Sequence, residues 1–183
     1  NATFYVGRVG PYEDLPWRSE WRYWDKPQSP GDRWAQRFYD DSDWQRGRGE
    51  FGYGDGDETV ELAFRPVHAS YYFRRRFSVA DEVTAVWLSA RFDDAVAIFV
   101  DGTLAVQVNM SDGFAHSVGA SSPSSDNELI QLPLPPELFT PGDHVLGAIV
   151  KQRAGSIDLS FDASVEFTFS RSAALPCNVE PRP

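Results

Sequence analysis

From Leu159 to Phe169 every odd position is apolar, and Ser160, Asp162, Ser164, Glu166 and Thr168 fill the even ones. A period of two predicts a long strand with one buried and one wet face, the odd positions turned inward. "VWLSARF" repeats the pattern, with Val86, Leu88, Ala90 and Phe92 on one side and Ser89 and Arg91 on the other. "TLAVQVNM" is expected to bury Leu104, Val106 and Val108, which turns Asn109 outward. "HVLGAIVKQ", 144–152, is more continuously apolar and suits a central strand. Helical periodicity is almost absent.

The punctuation between these runs fits strands as well. Asp101-Gly102 predicts a tight hairpin turn, "SSPSSDN" a loop tip and "PLPPELFTPGDH" a long crossing. Many strands, long loops and few helices make the expected fold all-β, an antiparallel β-sandwich or jelly roll. A single domain over 1–170 is expected, followed by a proline-rich tail or linker over 171–183. No internal repeat is visible.

Composition narrows the function. With 183 residues, 42% of them hydrophobic, the chain can bury a core without staples. Its 17 basic and 27 acidic residues give a net charge of −10, which argues against nucleic acid as a partner. The basic run "YFRRRF" at 72–77 alternates with aromatics and reads as the outer face of a strand. No stretch approaches the length of a membrane span, so no membrane insertion is expected. No signal peptide opens the chain, which is then either cytosolic or already processed. Cys177, the one cysteine, lies in the tail and has no internal partner. Two sequons, at Asn1 and Asn109, favour a secreted or cell-surface glycoprotein.

The first half is different. From Trp17 to Gly56 it is dense in Trp, Tyr, Gly and Asp and poor in β-branched residues. Trp21, Trp24, Trp34 and Trp44 read as cover for the open edge or end of a sheet. In "FYDDSDW", Asp40 or Asp41 is expected to cap a short turn with Trp44 packed back on the sandwich. Farther along, "GYGDGDE" is either a turn with positive φ or a calcium loop, since Asp55, Asp57 and Glu58 would repel phosphate.

The double aspartate of "ARFDDAVAIFVDG" is the other acidic feature. Adjacent side chains leave a strand end in different directions, so Asp93 and Asp94 are not an acid/base pair of the glycosidase kind. They form a strand corner, bonded to backbone N–H groups or arginine, or they hold a cation. No nucleophile elbow, zinc helix or phosphate loop is present, and His68, His116 and His144 are scattered without ligand spacing, as surface or loop histidines. The chain is expected not to be an enzyme.

"WRYWDKPQSPGDRWAQRFYDDSDWQRGRGEFGYGDGDET", then "YYFRRRFSV", "FDDAVAIFVDGTLAVQVNM" and "HVLGAIVKQRAGSIDLSFDASVEF" follow in order over roughly 17–167. Together they resemble the galactose-binding-like jelly-roll modules attached to secreted bacterial phosphoesterases. Ala95 stands where that family usually has glycine, and Asp101 where it has asparagine. The resemblance implies the fold and an accessory, non-catalytic status. A more local similarity, the Asp-Asp pair ahead of Asp101-Gly102, is to sugar-binding domains of the anthrax-protective-antigen type. There the pair grips calcium, which holds a sugar, and this implies the same role for Asp93 and Asp94.

The resulting expectation is a carbohydrate-binding, lectin-like or adhesion module of a larger protein, its partner a glycan. Calcium is the expected cofactor, at Asp93 and Asp94 or at Asp55 and Asp57. Trp24 and Tyr53 are the candidate exposed platforms for a sugar ring, with Arg91 as a polar partner. The alternative is a structural or protein-interaction domain packed on a catalytic one; a third reading is a hydrolase whose site shows in no motif.

Overall fold

A computed structural model describes residues 15–63, 70–110, 113–123 and 128–170. Asn1, His68 and Cys177 lie outside these residues, as do the tail and the first sequon. The strands are β1 Glu20–Trp24, β2 Gln45–Arg48, β3 Phe51–Tyr53, β4 Val60–Glu61, β5 Ser70–Val79 and β6 Val83–Asp93. They continue as β7 Ala95–Val100, β8 Thr103–Val108, β9 Glu128–Leu134, β10 Gly142–Lys151 and β11 Leu159–Phe169. A 3-10 turn, Pro136–Leu138, precedes β10.

Two sheets form a jelly-roll-like sandwich. One has six strands in the order β2-β1-β5-β10-β7-β8, the other five in the order β4-β3-β11-β6-β9. Every pairing is antiparallel except the short β3–β4 pair. The odd residues Leu159 to Phe167 are buried between the sheets, as their alternation predicts. Phe161 stacks on Phe73 of the opposite sheet at 4.3 Å between centroids and meets Trp21 edge-on at 5.5 Å. β10 is central, paired on both sides with β5 and β7.

Asp101 and Gly102 both have positive φ, 51° and 90°, the signature of the tight turn expected between β7 and β8. β8 departs from its expected phase. A register shift opposite Ile98/Phe99 leaves Val106 facing Ile98 but Leu104 facing Phe99. One extra residue reverses the side-chain phase. Leu104 is therefore 41% exposed, and Val106 and Val108 are half-buried. β9 contains Pro133, which the sequence assigned to a loop; the strand is at a sheet edge, where the missing N–H costs no ladder bond.

The aromatic-rich segment covers a face of a sheet as well as its edge. Trp34, Ala35 and Trp44 pack with Tyr72, Ala97, Phe99 and Ile149 in a second apolar cluster outside the six-stranded sheet. Trp34 lies over Gly147, where an added Cβ would come to 3.0 Å from its ring. Trp44 packs back as expected, and Asp40 Oδ1 accepts the Ser42 N–H at 3.0 Å in the turn before it. Trp21 belongs to the main core. His144, expected at the surface, is buried in β10, its ring nitrogens facing Asp101 Oδ2 at 2.7 Å and Thr140 O at 2.5 Å.

Candidate functional site

At one end of the five-stranded sheet, strand register and two chain crossings bring five residues around a cleft. Asp162 of β11 is directly paired with Arg91 of β6, so both rise on the outer face. Over them pass the segment after Leu15, which bridges to Val165, and the Gly49–Glu50 corner between β2 and β3. Gly49 donates its N–H to Ser19 O, and a Cβ there would run into the Asp162 carboxylate. The close approach requires glycine.

The crossings bury part of a face that alternation alone assigns to solvent. Asp162 is buried and accepts N–H groups from Arg18 at 2.9 Å and from Ala163 at 2.8 Å. Burial raises its pKa above the ordinary aspartate value, against the pull of those N–H groups and of Arg18 and Arg91. Glu50 is also raised, first by burial and then by the charge of Asp57, with Arg91 opposing and Asp162 and Asp55 adding. Arg91 Nη1 stands 3.8 Å from Glu50 Oε2, while Glu50 Oε1 is buried with no hydrogen-bond partner. Trp17, 41% exposed, completes with Arg18 a cavity of about 210 Å³. It combines a flat apolar surface, a guanidinium and two carboxyl groups that gain protons more readily than usual.

The glycine loop flanks this cleft. Gly54 and Gly56 have φ of 107° and 81°, the turn conformation expected of them. Glu58 ties the loop by accepting the N–H groups of Asp55 at 3.0 Å and Gly56 at 2.9 Å. Asp55, Asp57 and Glu58 can each offer a ligand atom within 4.8 Å of the others. That is three of the six to eight oxygens calcium takes, and backbone carbonyls and water would have to supply the rest.

Asp93 and Asp94 lie elsewhere in character. Both are buried; Asp94 Oδ2 accepts the Arg153 N–H at 2.7 Å, and its backbone N–H donates to Lys151 O at 3.3 Å. For Asp94 this is the backbone-bonded corner among the expected readings. Asn109, expected to face outward, is half-buried with φ of 55°, and its Nδ2 donates to Asp94 O at 3.1 Å. The end of β8 thus turns its amide back onto the corner.

The two expected platforms are differently placed from Trp17. Tyr53 is only 5% exposed and packs on Tyr71 with 6.0 Å between centroids, because β3 faces the core at that point. Trp24 is half-buried against Trp44, donates its indole N–H to Gln28 O at 2.7 Å and carries Lys26 Nζ 4.2 Å above its ring. Arg91 alone of the three lines the cleft. No motif in the sequence marks Trp17, Glu50 or Asp162 as ligand residues. Contacts across more than a hundred residues make the site, and no local periodicity signals them.

A second cavity, of about 350 Å³, opens over the six-stranded sheet between Trp34, Tyr72, Phe99, Phe114 and His116. Its aromatic rings are largely taken up with one another. Trp34 meets Tyr72 and Phe99 edge-on at 5.0 and 5.5 Å, and His116 stacks on Tyr72 at 5.7 Å.

No protein-family model and no curated protein matches this chain. Solved structures do share its fold. A glycosyl hydrolase family 2 member from Bacteroides cellulosilyticus superposes with a TM-score of 0.52 at 12% identity, over 85% of this chain and 20% of that one. A β-glucuronidase from glycoside hydrolase family 2 gives a TM-score of 0.53 at 11% identity, over 86% and 18%. The chain spans about a fifth of the length of these structures. At such identities the likeness shows the fold alone.

Proposed function

We propose that the protein is a non-catalytic carbohydrate-recognition module of a larger secreted or cell-surface protein, with its sugar site in the Trp17 cleft. The observation that carries this reading is an exposed Trp17 beside Glu50, Asp162 and Arg91. Sugar rings present an apolar face to an aromatic plane and hydroxyls to fixed donors and acceptors. Arg91 donates, and the unpartnered Glu50 Oε1 accepts from a hydroxyl. The module reading is supported by the chain matching only about a fifth of its glycosidase neighbours. It extends the resemblance to galactose-binding-like accessory domains.

Calcium enters this proposal at the glycine loop. Asp55 and Asp57 are exposed and adjacent to the cleft's charge, whereas Asp93 and Asp94 are buried and Asp94 already has one carboxylate oxygen on a backbone N–H. A cation there would neutralise the loop and order the rim of the cleft. A glycan on Asn109 would require its amide to leave Asp94 O.

A neutral-glycan array probed with wild type and Trp17→Ala, each with calcium and with chelator, tests the reading. Binding by wild type that Trp17→Ala loses supports it; loss on chelation as well supports the calcium element. No glycan bound under either condition overturns it. The reading then favoured is a packing module, for which the exposed Trp87 and Leu129 on the same sheet face are the specific observation.

A further inference from the structure

The outer face of the six-stranded sheet carries a row of like charges across three strands. Arg46 of β2 pairs directly with Arg22 of β1, and Arg22 with Arg74 of β5. Arg76 lies two residues farther along β5, on the same face. Like charges placed opposite one another weaken a sheet, so such a row needs anionic company.

The described residues supply only part of it. Asp41 stands among three guanidiniums, with Arg74 Nε at 2.8 Å, Arg76 Nη2 at 3.3 Å and Arg22 Nε at 3.4 Å. Glu20 is 3.9 Å from Arg46, both side chains more than half exposed. The other hydrogen bonds of these arginines go to backbone carbonyls. Arg22 donates to Asp41 O and Ser42 O, Arg74 to Trp34 O and Gln36 O, and Arg76 to Arg37 O and Tyr39 O. Carbonyls satisfy donors but bring no counter-charge. Among the described residues, four guanidiniums therefore share two carboxylates around a cavity of about 350 Å³, which Arg75 also lines, and the buried Arg74 Nη2 has no acceptor.

We propose that this cavity is an oxyanion site taking one tetrahedral group, a sulfate or phosphate, free or esterified to an otherwise neutral ligand. Guanidinium forks match such oxygens in pairs, and Arg22, Arg46 and Arg76 all line the one cavity. The cavity has the size of a small-molecule site. The selection of a single group follows from the charge of −10 on the whole chain, which repels polyanions while the local surplus attracts one charge.

The proposal goes beyond the Trp17 cleft, which lies on the other sheet, so each can fail alone. Calorimetric titrations with inorganic sulfate, inorganic phosphate, glucose 6-sulfate and glucose 6-phosphate, at an ionic strength held constant with sodium chloride, test it. One-to-one saturable binding is expected. Arg46→Gln and Arg76→Gln, both at exposed side chains, should each weaken it by about tenfold, the worth of one charge-assisted pair. Unchanged far-ultraviolet dichroism shows that the variants are folded. Tighter binding of a sugar ester than of its inorganic ion identifies an esterified ligand; equal binding identifies the free oxyanion. No saturable binding of any probe, or binding that both folded variants retain, overturns the site.

Discussion

Asp41 Oδ2 accepts a hydrogen bond from Arg74 Nε at 2.8 Å, and neither side chain is appreciably exposed. The pair joins the irregular aromatic segment to β5 through the outer face of the sheet. Burial alone would raise the Asp41 pKa, but Arg74 and Arg76 together hold it below the ordinary value. Asp41→Asn keeps the shape and leaves Arg74 charged, buried and uncompensated. Breaking such a pair from one side costs about 3 kcal/mol or more. Urea denaturation at neutral pH should show a loss of this size; a loss under about 1 kcal/mol would show that the carbonyls alone suffice for Arg74.

The same pair sets an acid dependence. A carboxyl group whose folded pKa is depressed contributes its full stability above the unfolded value, near 4, and loses it as pH falls toward the folded value. The stability gap between wild type and Asp41→Asn should therefore be constant near neutrality and shrink below about pH 4. A gap unchanged to pH 3 would contradict the assignment.

Glu50 has the opposite sign. Its pKa is raised, so the folded protein binds protons more readily than the unfolded chain, and stability gains as pH falls through the folded value toward the unfolded one. Glu50→Gln removes the charge and should raise the melting temperature at pH 7, by an amount that diminishes as the pH is lowered. A variant less stable than wild type at pH 7 would mean that the Arg91 contact outweighs the desolvation of Glu50.

Lys151 is fully buried, and its Nζ donates to Ala115 O at 2.6 Å and Val118 O at 2.5 Å, holding that loop to β10. Desolvation lowers its pKa to about 8. Between there and its unfolded value the unfolded chain binds more protons, so this lysine contributes stability that rises with pH. Relative to Lys151→Met, wild type should gain melting temperature between pH 7 and 10. Parallel profiles for the two proteins would rule the titration out.

Gly147→Val tests the layer outside the six-stranded sheet. Even a Cβ at Gly147 meets the Trp34 ring at 3.0 Å and Ala35 at 3.3 Å, so a branched side chain must displace them. A cost of about 1–3 kcal/mol and a red shift of tryptophan emission are expected. Neither change would mean that Trp34 is held loosely.

Much of the sandwich was legible because alternation is a local signal. Phe161 and Phe167 face the core as their phase requires, and the Asp101-Gly102 turn takes the conformation its residues favour. Leu104 was misplaced because the inserted residue lies in the pairing of two strands, which one strand's pattern does not contain. Asp162 illustrates the larger gap. Alternation correctly turned it away from the core, but its burial comes from Arg18 and Gly49, more than a hundred residues earlier. Arg91 was found as a strand's polar residue; Trp17 and Glu50, on the crossings, carried no periodic mark.

Trp34, Ala35 and Trp44 belong to no strand yet are buried like core residues. Their segment should consequently melt with the sandwich and not before it. Where backbone regularity would forecast early fraying, amide exchange across Trp34 to Trp44 should slow to the rate of global opening. The irregular stretch then belongs to the same cooperative unit as the sandwich, and deleting it would bare Tyr72, Ala97, Phe99 and Ile149 on the outer face of the six-stranded sheet.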